Sequence, residues 1–90
     1  MPIDQGMWFV FPGERKRQFW MKNTLIPLDI IFINSKLKVI NVIHRAQPET
    51  LTARRSKAPA QYVLELVGGQ AKRRGIKPGT LMRPCGIDPP

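Results

Sequence analysis

The longest run of apolar positions in the chain, residues 19–34 (FWMKNTLIPLDIIFIN), has Lys22, Asn23, Thr24 and Asp29 set inside it. Its second half, LDIIFIN, is β-branched and aromatic, of strand length, and apolar on both faces, which predicts a strand in the middle of a sheet or sandwich. A carboxylate there needs a partner. Left charged, buried and unpaired, Asp29 would cost several kcal/mol, so Lys22 or another donor meets it, or it opens on water or a ligand.

Other strands follow from the same patterning. Residues 6–11, GMWFVF, put Met7, Phe9 and Phe11 on one side and Trp8 and Val10 on the other, so an internal strand ending at Pro12-Gly13 is expected. Residues 14–18, ERKRQ, read as a charged loop with Arg15, Lys16 and Arg17 solvated at its tip. Asn23-Thr24 suits a turn, and Pro27 can only open the strand after it. Asn34-Ser35-Lys36 joins that strand to residues 37–43, LKVINVI, as an antiparallel hairpin, with Val39, Asn41 and Ile43 on one face.

Residues 44–59 show no period and read as a long surface loop. In residues 61–66, QYVLEL, Tyr62, Leu64 and Leu66 point one way and Val63 and Glu65 the other, so Glu65 is a second acid among apolar neighbours. Gly68-Gly69, QAKRR and Gly75 predict one helix of about two turns, capped by Gly75 in the left-handed region with Ile76 after it. Lys72, Arg73 and Arg74 near its end suit the helix dipole. A turn at residues 77–79, a last strand at 80–83 and a loose tail at 84–90 complete one domain spanning 1–90.

Composition narrows the function classes. A chain of 90 residues buries only about 60 to 65% of its unfolded surface. With 42% hydrophobic residues it is globular in composition, and no apolar run reaches membrane-spanning length. Residues 1–11 show no secretory signal pattern, so a cytoplasmic address is expected, or a secreted or periplasmic one if the true start lies upstream with a signal. Cys85 is the single cysteine and His44 the single histidine, so neither an internal disulfide nor a zinc site within one chain is expected, and no cofactor is implied. The net charge of +9, from 15 Lys and Arg against 6 Asp and Glu, makes this a basic protein. That charge suits an acidic partner such as nucleic acid or a membrane surface, and equally a solvated surface that keeps a small domain soluble.

GMWFVF, FWMKNTLIPLDIIFIN and YVLELVGGQAKRRGIKPG, in that order and spacing, resemble the bacterial and archaeal family called Domain of Unknown Function 192 over nearly the whole chain. The resemblance implies a small, mainly β domain, jelly-roll-like as a sandwich or barrel, with one short helix near the C-terminus and no established activity. It also implies a further strand before the position of Gly6, so a truncated start is expected, and with it a sheet edge open to pairing with a second chain. The hairpin at residues 34–37 lacks the glycine that the family often places there, and Gly79-Thr80 stands where the family tends to have Gly-Asp.

Three functions compete. In the first, a non-enzymatic binding or accessory domain takes a small ligand in a shallow pocket of Trp20, Lys22, Asn23, Thr24, Asp29 and Glu65, with an aromatic face to stack a planar or sugar ligand and Lys22 and Asn23 to hydrogen-bond it. A purely structural role for the same residues, with Lys22 paired to Asp29 and Trp20 in the core, stands beside it. In the second, a hydrolase or glycan-acting enzyme uses Asp29 and Glu65 as paired carboxylates, which requires them to be near one another on one face. In the third, the basic loops and helix bind a polyanion electrostatically and without sequence preference.

Overall fold

The computed structural model describes residues 6–19, 26–47 and 54–82. Its centre is an antiparallel four-stranded sheet in the order β1-β6-β3-β4, formed by β1 (Met7–Arg15), β3 (Leu28–Ile33), β4 (Val39–Ala46) and β6 (Ala60–Val67). A second, two-stranded ribbon pairs β2 (Gln18–Phe19) with β5 (Arg54–Arg55). The one helix among the described residues is α1 (Gln70–Arg73). The domain is mainly β with a short helix, as expected, but its sheet does not close into a barrel.

All six residues of β3 are buried between β4 and β6, as a run that is apolar on both faces apart from Asp29 requires. One face of the sheet gathers Leu28, Ile30, Phe32, Ala46, Ala60 and Val63, with Phe9, Phe11, Ile40 and Ile43 packed against them. The other gathers Ile31, Ile33, Val39, Leu64 and Leu66 beneath Ala71 and Ile76, with Trp8 and Tyr62 stacked at its flank at 5.8 Å between ring centroids.

Four expectations are corrected. First, β1 lies at the edge of the sheet, paired with β6 alone among the described residues, and Met7 and Val10 are exposed, so this strand is not internal. It runs through Pro12-Gly13 to Arg15 with an irregular register after Val10, and an edge tolerates a proline because a missing N–H there breaks no ladder bond. Second, β4 continues through His44 and Arg45 to Ala46, and Arg54-Arg55 pairs with β2, so the segment expected to be one long loop contains strand at its start and again at residues 54–55. Third, Val39 pairs with Ile33 while Asn41 pairs with Phe32, because one extra residue on β4 is accommodated between them. That bulge flips the alternation, and Val39 packs on the face opposite Ile43. Fourth, residues 80–82 form no full strand. They join the β4 end through a single bridge, Lys38 to Leu81, with Val39 N–H donating to the Thr80 carbonyl at 2.8 Å.

The hairpin forms where expected without its glycine. Leu37 occupies the left-handed region at φ 64, and the Asn34 side-chain oxygen accepts the N–H groups of Lys36 at 2.9 Å and Lys38 at 3.0 Å. That local bonding, with Leu37 packed on the second apolar face, holds a conformation that leucine avoids on its own.

Candidate functional site

Asp29 is completely buried, and its partners are backbone amides. Where β3 and β4 pass, the register slips again: Leu28 pairs with Ala46 but Ile30 with Ile43, leaving an extra residue on β4. Arg45 takes up that residue at φ 49, and its N–H donates to Asp29 Oδ1 at 2.8 Å. The other oxygen, Oδ2, accepts Gly69 N–H at 3.0 Å and Ala71 N–H at 2.8 Å. These are orphan donors at the start of α1, whose own N-cap, Gly69, has no side chain to supply an acceptor. Asp29 therefore caps the helix from a neighbouring strand and fills the gap of the β4 bulge with the same carboxylate.

Glu65 lies elsewhere. It pairs directly with Ile30 across β6 and β3 and with Met7 across β6 and β1, so it shares the face of Ile30. Asp29, one residue along β3, points to the opposite face, toward Ala71. Glu65 is half-buried, and desolvation holds its carboxyl above the usual carboxylate range. The two acids thus lie on opposite sides of one sheet, an arrangement in which they cannot share a substrate bond as paired carboxylates. Trp20, Lys22, Asn23 and Thr24, the other sequence-predicted site residues, lie outside the described residues. So does Cys85.

A second polar centre joins the β2–β5 ribbon to the sheet. The buried Asn41 donates from Nδ2 to the Arg55 carbonyl at 3.1 Å and accepts Lys57 N–H at 3.0 Å, fixing the ribbon over the first apolar face. The Arg17 N–H donates to Ser56 Oγ at 2.7 Å, and Ser56 N–H donates to the Arg17 carbonyl at 2.7 Å. The guanidinium of Arg17 lies 3.9 Å over the Phe11 ring, donates from Nε to the Ala60 carbonyl at 3.0 Å and from Nη2 to the Gly13 carbonyl. Arg17 is thus a built-in strut, where the sequence suggested a solvated tip. Hollows open on either side of it: one of about 320 Å³ lined by Pro12, Gly13, Arg15 and Arg17, and one of about 260 Å³ lined by Lys16, Arg17, Arg55 and Ser56.

Sequence reasoning missed Arg17, Asn41 and Ser56 as organising residues. Asn41 carried the one available signal, a lone amide among β-branched residues in LKVINVI. Among the described residues no three His, Cys, Asp or Glu stand close enough to hold a metal ion, and no helix is long and apolar enough to cross a membrane.

Comparison with known proteins agrees with this architecture. The family model for Domain of Unknown Function 192 (DUF192), described as Uncharacterized ACR, matches residues 1–84. A crystal structure of a protein of unknown function from Novosphingobium aromaticivorans DSM 12444 is similar at 42% identity and a TM-score of 0.83, over 88% of this chain and 56% of that one. One from Sinorhizobium meliloti 1021, provisionally described as a transcription regulator, is similar at 42% identity and a TM-score of 0.83, over 88% of this chain and 61% of that one. The chain thus spans less than two thirds of either structure. No curated protein matches it.

Proposed function

This chain belongs to the DUF192 family, and from that premise we propose that it is a non-enzymatic binding or accessory domain, taking a small ligand against Trp20, Lys22, Asn23 and Thr24 with Glu65 as the acid available to it. The observation that supports this reading over the hydrolase is the disposition of the carboxylates. Asp29 has both oxygens engaged by three backbone amides and no exposure, while Glu65 faces away from it. Asp29 then acts as a positioning residue, holding the β4 bulge and the start of α1. In the ligand contacts, Trp20 supplies a face for stacking and Lys22 and Asn23 supply donors and an acceptor.

The test uses the two tryptophans as reporters. The full chain and its Trp8→Phe and Trp20→Phe variants are titrated with a panel of mono- and oligosaccharides and planar aromatic acids, following emission, and each saccharide is incubated with the protein for turnover. The reading expects saturable quenching that survives Trp8→Phe, is lost in Trp20→Phe and weakens in Lys22→Met, with no product formed. Saccharide turnover abolished by Glu65→Gln would overturn it.

A second reading has one observation in its favour, the likeness to the S. meliloti protein provisionally described as a transcription regulator. Electrostatic binding of duplex DNA by Lys72, Arg73 and Arg74, all exposed, would then be steeply salt-dependent. Duplex affinity unchanged between low and high salt would count against it. For the oligomer we propose pairing through the outer edge of β1, to be checked by light scattering across a concentration series.

A further inference from the structure

We infer that the hollow between the β2–β5 ribbon and the end of β1 is a phosphate-monoester site, formed by Lys16, Arg17, Arg55 and Ser56. It draws on none of the residues of the pocket proposed above. Three positive groups line a cavity of about 260 Å³, ample for a phosphate group and part of what it is attached to. Of these, the guanidinium of Arg17 is pre-set. Stacking on Phe11 and donation to the Gly13 and Ala60 carbonyls fix its plane, and these bonds use only part of its five N–H donors. Lys16 and Arg55 are exposed, and their side chains make no hydrogen bond or ion pair among the described residues.

Ser56 supplies the independent sign. It is 5% exposed, and its hydroxyl oxygen accepts the Arg17 N–H, while its own proton is given to no acceptor among the described residues. A buried hydroxyl with an unspent proton, lining a hollow flanked by cations, matches an oxyanion acceptor. A dianionic monoester fits three cations better than the single charge of a backbone diester, and among the described residues the lining holds no aromatic side chain on which a nucleic-acid base would stack.

The experiment titrates the full chain with inorganic phosphate, a 5′-mononucleotide and a short single-stranded oligonucleotide without terminal phosphates, following backbone amide shifts by NMR. Lys16→Gln and Arg55→Gln are the site variants, and Lys77→Gln is the control that removes the same charge elsewhere. Inorganic phosphate and the mononucleotide are expected to saturate the Arg17 and Ser56 amides, with affinity falling about tenfold in each site variant and holding in the control. Comparison of those two ligands distinguishes free phosphate from the ester. An equal loss in Lys77→Gln would reduce the effect to net charge and overturn the site. Saturation of these amides by the oligonucleotide alone would overturn the monoester.

Discussion

Asp29 shows how one side chain can satisfy donors from two separate parts of the chain. The sequence makes the problem legible, since a carboxylate in LDIIFIN demands donors, but not its solution, since backbone N–H groups freed by a bulge and by a helix start leave no mark in residue type. Asp29→Asn keeps the shape and replaces an acceptor oxygen with a donor aimed at backbone donors. It is expected to destabilise the fold by about 3 kcal/mol, read as a lowered urea midpoint at unchanged slope. Glu65 predicts the opposite sign. Because its folded-state carboxyl binds a proton more tightly than in the unfolded chain, its contribution to stability is complete below the ordinary carboxyl range and is lost as pH rises through the raised value. Glu65→Gln should therefore be more stable than the parent at about pH 7 and lose that advantage at about pH 4, measured as the difference in urea midpoints between the two proteins. Glu14, whose carboxyl the Ser35 N–H holds below the usual range, titrates in the opposite sense but is present in both proteins and cancels.

Among the elements, α1 was the most readable in kind and was misjudged in length. Gly75 N–H donates to the Lys72 carbonyl and Ile76 N–H to the Ala71 carbonyl, a Schellman ending that the order of Gly75 and Ile76 announced. Its single turn survives because Ala71 and Ile76 are buried on the sheet and Asp29 caps it, not through helix propensity. The two glycines that bracket it predict unequal costs. Gly75→Ala, at φ 69 with open space around the new methyl, should cost about 1 to 2 kcal/mol for the left-handed backbone alone. Gly69→Ala, at φ 95, lies further outside the left-handed well that other residues can reach, so the larger loss of urea midpoint is expected there, while the exposed Arg45 guanidinium 2.8 Å from the new methyl can swing aside. The bulges of β4 were illegible for the reason that made Val39 misleading: strict alternation holds only while the register does, and LKVINVIHRA contains no glycine or proline to mark where it slips.

At the scale of the whole molecule, a mainly β domain with one short helix was readable because β3 is apolar on both faces and β6 alternates, which together ask for two covered faces. The strand order was not, and the edge position of β1 depends on which neighbours exist rather than on its own apolar character. The carboxylate pair failed as a candidate for a related reason. Whether Asp29 and Glu65 share a face is decided by how β3 is aligned on β6, and the pairing of Ile30 with Glu65 sends the acids apart.

The three amides held by Asp29 lie 16, 40 and 42 residues away along the chain. Such bonds close last, after the strands have collapsed, so they should be absent at the folding barrier and felt only on the way back over it. In stopped-flow chevrons Asp29→Asn is then expected to refold at nearly the parental rate and to unfold roughly a hundredfold faster. One carboxylate would in that case govern chiefly how long each folded molecule lasts.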